Sequence, residues 1–348
     1  MDGSLIGGPP IHVAIIYAMR IPALILFFIL GGSLLLSPQT QPGPGQTPPA
    51  TPTQSSPTGN GQSKLPSITT SVDVVNVVFT VVDDNGHFVR DLTPNQFRIL
   101  DNNKPPREIT SFEPQTGLPM RVALLIDASN SVRDRFKFEQ QSAIEFVQQS
   151  LVPETDKAMV LAFDEIYEVM QDFTNDLDKL SSGIRKISPG GSTALWDSVY
   201  YACREKLLKE GSTNPVRRVI VLISDGNDTQ SRVYRQEAID MAQRAEVAIF
   251  TISTSLGTTN PDGDHNLRLL ADATGGRSFF PVVLQDVETA FVTIQHELRS
   301  QYSVSYKPQD FVPNGQYRTI SIKTIHHDYK VRAKKGYYTR KAGPEGGN

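Results

Sequence analysis

Cysteine is almost absent from this sequence, which has one, Cys203, among its 348 residues. A chain with a single cysteine forms no internal disulfide, so its stability must come from an apolar core or from a bound metal. Cys203 lies among Leu195, Val199 and Leu207 at helical spacing, and this pattern predicts a buried, unreactive thiol.

The sequence also has little net charge. Its 34 lysines and arginines nearly cancel its 37 aspartates and glutamates, which leaves a formal charge of -3. The basic residues form no stripe that could follow a phosphate backbone, and no acidic tail is present. We therefore expect no nucleic acid partner, while the 39% of apolar residues is enough to build a core.

The motifs of the common enzyme classes are missing as well. The chain has no P-loop, no G-x-G-x-x-G fingerprint and no G-x-S-x-G elbow. We therefore predict that the protein is not an enzyme and has no catalytic residues. A metal-dependent hydrolase is the weaker alternative.

The N-terminal region is predicted to direct export. Residues 21–37 are almost wholly apolar and follow Met19 and Arg20, so residues 1–37 are predicted to be a signal peptide or a membrane anchor, with Met1 or Met19 as the start. The apolar stretch 11–36 is long enough to tether the protein to a membrane. Residues 38–67 are rich in Pro, Thr and Gln and are predicted to be a disordered linker. The protein is expected to be secreted, periplasmic or membrane-anchored outside the cytoplasm.

Three segments are predicted to fold. Residues 68–115 read as short β-strands, residues 116–301 alternate apolar strands with amphipathic helices, and residues 302–342 return to β-strands. The predicted fold class is α/β, with a doubly wound, mostly parallel sheet and flanking antiparallel β-sandwich segments. Neither β segment has enough strands to be stable alone, so we expect residues 302–342 to pair with residues 68–115.

Oxygen-bearing side chains follow predicted strands or precede predicted helices at three places in the α/β segment. They are Asp127, Ser129 and Ser131 after the first strand, Thr193 after Gly190 and Gly191, and Asp225 after "VIVLIS". The carboxyl ends of parallel strands open at one edge of the sheet, where the three loops can meet. In an extended loop, Asp127, Ser129 and Ser131 would face the same way. Two carboxylates and three hydroxyls suit one hard divalent ion, Mg²⁺ or otherwise Mn²⁺ or Ca²⁺.

The stretches "DASNS", "GGSTALWD" and "LISDGND" resemble the metal-ion-dependent adhesion site (MIDAS) of von Willebrand factor type A domains. The resemblance runs from about Leu118 to Gln301. It implies that Ser129, Ser131 and Thr193 bind the metal directly, and that Asp127 and Asp225 act largely through water. It also implies a cell-adhesion or assembly module in which the ion bridges to an Asp or Glu carboxylate of a protein partner. The segment "VDVVNVVFTVVDDNGHFVRDL" and the ending "GYYT" further resemble the exported bacterial, acidobacterial-type subgroup.

Other interpretations of the same residues remain open at this point. Asp127 and its serines could cap the first helix, and Asp127 could be a phosphoryl acceptor, although a phosphatase would have a second carboxylate where Ser129 stands. Asp228, Asp197 and Gly191 are expected beside the site rather than as primary ligands. A scaffold whose metal only stabilises the fold is the main alternative to a binding module.

Overall fold

The computed structural model describes residues 74–114, 118–133, 135–210 and 216–340. The predicted signal peptide or anchor at 1–37, the linker at 38–67, and residues 68–73 of the first β segment lie outside this range, as do residues 341 and 342 of the last one. Within the described residues no helix is both long and apolar enough to cross a membrane.

The described residues form strands and helices in alternation between two β-rich ends. The strands are β1 (Val75–Val82), β2 (Phe97–Asp101), β3 (Glu108–Pro114), β4 (Met120–Asp127), β5 (Lys157–Phe163), β6 (Tyr167–Thr174), β7 (Arg217–Ser224), β8 (Val247–Ser253), β9 (Ser278–Phe279), β10 (Tyr302–Lys307), β11 (Tyr317–Thr324), β12 (Lys330–Ala333) and β13 (Gly336–Tyr338). The helices are α1 (Phe136–Ser150), α2 (Leu177–Arg185), α3 (Leu195–Tyr201), α4 (Arg235–Arg244), α5 (Pro261–Thr274) and α6 (Leu284–Leu298).

The central sheet has the strand order β6-β5-β4-β7-β8-β9, and all its pairings are parallel except that of β6 with β5. Strands β4 and β7 are buried almost throughout, because helices cover both faces of the sheet. One face packs against α1, α2 and α6, and the other packs against α3, α4 and α5. The predicted α/β class with a mostly parallel sheet is therefore confirmed.

Two smaller antiparallel sheets, ordered β12-β1-β10-β3 and β13-β11-β2, share a separate apolar core. Strand β1 pairs with β10, so that Val77 lies opposite Val304. The pair joins residues near the two ends of the described chain, and the central sheet lies between them in sequence. These antiparallel sheets are part of the fold class that the sequence predicts.

The β-rich part contacts the ends of α4, α5 and α6 that lie at the amino edge of the central sheet. Arg244 stacks 3.7 Å from the ring centre of Tyr338, and Arg332 forms an ion pair with the buried Glu297. The carboxyl edge of the central sheet is therefore on the opposite side and free of these contacts.

Two helices have local features that depend on particular residues. Helix α5 begins with a polar turn at Pro261, because the Asn260 side chain accepts a hydrogen bond from the Gly263 N–H and Pro261 occupies the first helical position. Helix α3 continues through a wide turn at Ala202–Lys206. This turn contains Cys203, which is fully buried, and burial raises the pKa of its thiol.

Candidate metal centre

Three loops meet at the carboxyl edge of the central sheet. The loop after β4 bonds to the loop before α3, since the Gly190 N–H donates to the Ala128 carbonyl (2.6 Å) and the Asn130 N–H donates to the Gly191 carbonyl (3.2 Å). The loop before α3 in turn bonds to the loop after β7, because the Thr229 N–H donates to the Thr193 carbonyl (2.9 Å). The structure thus brings together the three places that the sequence singles out.

Asp127, the last residue of β4, is fully buried and has no basic partner among the described residues. The Ser129 N–H donates to its Oδ1 (2.9 Å), and the Ser224 hydroxyl donates to its Oδ2 (2.6 Å). Burial raises the pKa of Asp127 to about 6, against the lowering effect of these hydrogen bonds, and the charge of Asp225 raises it further. A buried carboxylate without a counter-ion is costly, so this position favours a bound cation.

The hydroxyls of Ser129 and Ser131 lie 3.0 Å apart, within hydrogen-bond distance of each other. Ser129 is buried and Ser131 is exposed. The expected extended loop is wrong in detail, since Asn130–Val132 forms a 3₁₀ turn. Ser129 is extended and its N–H donates to Asp127 Oδ1, while Ser131 lies within the turn that follows.

Asp225 follows β7 and is nearly buried, and its Oδ1 accepts a hydrogen bond from the Asn227 N–H (3.0 Å). Thr193 is also nearly buried, and its backbone N–H donates to the Thr229 hydroxyl (3.0 Å). No hydrogen bond among the described residues uses the Thr193 hydroxyl. Asp225 Oδ2 is likewise left without a hydrogen-bond partner in the described part of the chain.

Asp228 and Asp197 connect the loop after β7 to the start of α3 in both directions. Asp228 Oδ1 accepts hydrogen bonds from the Leu195 N–H (2.9 Å) and the Ser231 hydroxyl (2.5 Å). Asp197 Oδ1 accepts from the N–H groups of Arg232 (2.9 Å) and Val233 (2.8 Å). Thr193 precedes α3 and Asp225 follows β7. The hydrogen bonds of Asp228 and Asp197 therefore hold the segment of Thr193 next to the segment of Asp225.

Gly191 permits a close approach of the turn between β5 and β6. Its φ is +78°, and a Cβ at this position would lie 3.2 Å from Glu165 Cγ and 3.3 Å from Asp164 Cγ. A larger residue would therefore meet both backbone strain and a crowded neighbour. The Ala194 N–H donates to the Asp164 carbonyl (2.7 Å), which holds the same turn against the loop that carries Thr193.

Glu139 is a buried acidic residue that the sequence interpretation missed. It lies in the first turn of α1, and neither carboxylate oxygen has a hydrogen-bond partner among the described residues. Burial raises its pKa to about 8, the charge of Arg135 at 3.3 Å lowers it, and the charges of Asp127 and Asp225 raise it. Its spacing, three residues after Phe136 and four before Ala143, places it on the apolar face of α1 and could have revealed it.

The residue types at this edge fit a hard divalent ion. Carboxylate and hydroxyl oxygens are the ligands that such ions prefer, and the buried carboxyl groups of Asp127 and Asp225 have no ion-pair partner among the described residues. The described residues contain no group of three or more His, Cys, Asp and Glu side chains arranged to hold a metal. The predicted set has only two carboxylates, and hydroxyls supply the rest.

Comparison with solved structures finds proteins of similar architecture. Proximal thread matrix protein 1 from the mussel byssus, in a structure described with a zinc-occupied MIDAS motif, is 16% identical, with 57% of this chain covered and a TM-score of 0.46. The protein spans about half (50%) of the mussel chain. BatB from Bacteroides thetaiotaomicron is 18% identical over 53% of this chain and 100% of its own, with a TM-score of 0.42.

The von Willebrand domain of the type V pili tip protein Mfa5 from Porphyromonas gingivalis is 17% identical over 51% of this chain and 94% of its own, with a TM-score of 0.43. Comparison with curated proteins gives no significant match. The family described as von Willebrand factor type A domain matches residues 122–295, which is half of the sequence. The chain therefore belongs to the von Willebrand factor type A domain family.

Proposed function

We propose that this protein is a divalent-cation-dependent binding module, in which a metal at the carboxyl edge of the central sheet bridges to a carboxylate of a protein partner. The observation that carries the proposal is the burial of Asp127 without a basic partner, in a loop whose two serine hydroxyls lie 3.0 Å apart. Helix capping does not account for it, because the Asp127 carboxylate accepts no hydrogen bond from the first turn of α1, whose N-cap residue is Arg135.

The five residues have distinct proposed roles. Ser129, Ser131 and Thr193 hold the ion directly, and Asp127 and Asp225 hold it largely through water. When bound, the ion supplies a Lewis-acidic position that accepts a carboxylate oxygen. A ligand set with few direct charges leaves Mg²⁺ or Mn²⁺ attractive to an additional anion, which supports a role for a partner's Asp or Glu.

We propose no catalytic role for this site. The three loops contain no histidine, and Asp127 has a serine rather than a carboxylate two residues later. Adhesion and assembly therefore fit the residues better than hydrolysis.

The proposed organisation follows the sequence pattern. Residues 1–37 export the protein or anchor it through 11–36, residues 38–67 form a linker, and residues 116–301 form the binding domain between paired β segments at 68–115 and 302–342. The assignment to the exported acidobacterial-type subgroup belongs to the same proposal. A module on a linker outside the cytoplasm would reach partners at the cell surface.

Metal binding is tested by thermal unfolding of the wild type, Asp225→Ala and Asp328→Ala in EDTA and in excess Mg²⁺ or Mn²⁺. Asp328 is an exposed carboxylate in the turn before β12, so its variant controls for the loss of one acidic residue. The metal is expected to raise the unfolding temperature of the wild type and of Asp328→Ala, but not that of Asp225→Ala. Equal shifts in all three proteins would contradict a metal site at this position.

Partner binding is tested by capture from an extracellular or periplasmic extract in Mg²⁺, in EDTA, and with Thr193→Ala. Loss of the captured protein in both EDTA and Thr193→Ala supports a metal bridge. Retention of the same protein in both conditions, together with metal-induced stabilisation, favours a scaffold whose ion only stabilises the fold.

A further inference from the structure

A cavity of about 390 Å³ lies at the amino edge of the central sheet, between this sheet and the β-rich part. Its wall includes the starts of β7 and β8, the ends of α4 and α5, and the middle of β1. Ligand sites in proteins typically measure about 300–1,000 Å³, so the cavity suits a small molecule. It lies at the edge opposite to the candidate metal centre.

Arg217, the first residue of β7, is the most buried basic residue on this wall, with 6% of its surface exposed. Its Nη1 donates to the Leu298 carbonyl (2.7 Å) and to Gln301 Oε1 (2.8 Å). Its Nε and Nη2 are buried and have no hydrogen-bond partner among the described residues. Unpaired buried donors are rare in folded proteins and destabilise them. These two donors can therefore bond an acceptor that a ligand supplies.

The charge of Arg217 has no counter-ion of its own in the described part of the chain. Burial lowers the pKa of its guanidinium to about 10, the charge of Arg299 lowers it further, and the charge of Asp156 raises it. Asp156 is itself paired with Arg299 at 2.9 Å. A buried cation without a counter-ion is costly, as the buried carboxylate of Asp127 is, and this position favours an anion.

The other charged groups on the wall are mostly basic. They are Arg218, Lys334 and Arg340, and the acidic residue beside them is Glu246. Lys334 lies 3.6 Å from Glu246, and Arg340 forms no ion pair with another described residue. The ends of α4 and α5 each add a partial negative charge of about one half, which the four basic side chains exceed. The wall therefore attracts anions.

Aliphatic side chains form the rest of the wall. Val219 and Val247, at the starts of β7 and β8, are buried, and Val78 of β1 and Ala248 are half-buried. Ligand sites commonly combine an apolar lining with a few polar groups that fix the orientation of the ligand. This wall therefore suits a molecule that has both an anionic group and an apolar part.

Capping of helix ends explains only part of this arrangement. Arg217 Nη1 bonds the carbonyl of Leu298, the last residue of α6, and Arg218 Nη1 bonds the carbonyl of Ala245, which follows α4 (3.4 Å). These bonds do not involve Nε and Nη2 of Arg217, and no hydrogen bond among the described residues involves the Arg340 side chain. The positive charge on the wall is thus larger than the helix ends require.

We propose that this cavity binds a small organic anion, whose carboxylate or phosphate group bonds the guanidinium of Arg217 and whose compact apolar part packs on Val78, Val219 and Val247. Both anionic groups offer oxygen pairs that match the paired donors of a guanidinium. The inference goes beyond the proposed function, since it concerns a different ligand at the opposite edge of the sheet.

Isothermal titration and thermal unfolding of the full chain in EDTA test the cavity with four probes. EDTA removes divalent ions, so that no anion is held at the candidate metal centre. Benzoate or phenyl phosphate is expected to bind and to raise the unfolding temperature, and comparison of the two distinguishes a carboxylate from a phosphate site. Benzyl alcohol has no charge and inorganic phosphate has no apolar part. Both are expected to bind at least about tenfold more weakly.

Variants on the wall are compared with a matched arginine elsewhere. Arg217→Met is expected to raise the Kd of the better aromatic anion about tenfold or more, and Arg217→Lys, which keeps the charge but loses the paired donors, is expected to raise it less. Arg340→Gln removes an exposed charge and is expected to raise the Kd about threefold. Arg98→Gln removes an exposed arginine of β2 and is expected to leave the Kd unchanged.

Arg217→Met also loses the hydrogen bond to Leu298. If this variant does not fold, Arg217→Lys and Arg340→Gln decide the test. Equal Kd values in the wild type and both of these variants, or equally tight binding of benzyl alcohol and benzoate, would overturn the inference. Absence of binding by both aromatic anions would also overturn it and would leave Arg217 as a cap of α6. Because the titrations contain EDTA, each of these results is independent of the metal-binding test.

Discussion

Replacing Asp127 by Asn should make the metal-free protein more stable near neutral pH and remove its response to metal. The pKa of Asp127 is about 6 in the folded protein against 3.8 in the unfolded chain. An acid with a raised folded pKa binds its proton more tightly in the folded state. Its ionisation therefore lowers the stability as the pH rises from about 4 to 6, and the whole loss is present above that range.

The size of the effect follows from the shift and from the contacts of the side chain. A difference of about two pH units corresponds to about 3 kcal/mol of stability lost at pH 7. Asn keeps an acceptor for the Ser129 N–H but weakens the bond from the Ser224 hydroxyl, at a cost of about 1 kcal/mol. The variant should thus gain about 2 kcal/mol in EDTA at pH 7 and be slightly less stable than the wild type at pH 4, by up to about 1 kcal/mol.

Urea unfolding of both proteins at pH 4 and pH 7, each in EDTA and in excess Mg²⁺, measures these differences. In Mg²⁺ at pH 7 the stability advantage of Asp127→Asn should shrink or reverse, because only the wild type is stabilised by the ion. A variant that is less stable than the wild type in EDTA at pH 7 would refute the argument that the buried charge of Asp127 lacks compensation.

Three further predictions concern the supports of the site and of the fold. Asp228→Ala should raise the Kd for Mn²⁺, measured by thermal-shift titration, roughly tenfold, because the segments of Thr193 and Asp225 lose their cross-link; an unchanged Kd would contradict this positioning role. Gly226→Ala should unfold at a much lower temperature than Gly86→Ala. Both glycines have positive φ, but a Cβ at Gly226 would lie 2.2 Å from the Gly263 carbonyl oxygen, whereas Gly86 faces open space. Equal decreases in the unfolding temperature would show that backbone strain, and not the steric clash, determines the loss. Asp101→Asn should cost about 3–5 kcal/mol in urea unfolding, with or without metal, because it breaks the buried pair with Arg318; a dependence on Mg²⁺ would link this pair to the metal site.

The sequence was sufficient to predict the fold class, because two signals are local. Apolar runs such as Val122–Ile126 are unbroken, which indicates strands covered on both faces, and helices with apolar stripes alternate with them. The start of α5 was not predicted, since its first turn is polar and depends on a cap by Asn260. A polar first turn has no apolar residues at helical spacing, so hydrophobic periodicity does not predict where such a helix starts.

The three loops of the candidate site were predictable from the sequence, but Glu139 and the connections between the loops were not. The spacing of Asp127, Ser129 and Ser131, with Thr193 and Asp225 later, carries the resemblance to the family. The hydrogen bonds between Asp228 and Leu195, or Asp197 and Val233, join segments more than 30 residues apart. No local pattern encodes such contacts, and the roles of the five residues as ligands remain a prediction.

Two buried aspartates at the ends of strands show how the same side chain serves different purposes in this chain. Asp101 ends β2 and accepts hydrogen bonds from the hydroxyls of Tyr306 (2.9 Å) and Tyr337 (2.9 Å) and from Arg318 Nε (2.6 Å). Its charge is compensated within the fold, so it needs nothing from outside. Asp127 ends β4 and receives one hydroxyl and one backbone N–H, without a cation.

A basic residue near Asp127 would have compensated its charge as Arg318 does for Asp101, and the fold would then be more stable without any ion. The chain instead has serine hydroxyls and a second carboxylate, Asp225, near this position, and Asp225 raises the pKa of Asp127. Without a bound ion, the folded protein is therefore less stable than it would be with a basic residue beside Asp127. In the proposed function, a divalent cation would supply this missing charge, and because the charge is not built into the chain, the ion could also bind an oxygen of a partner.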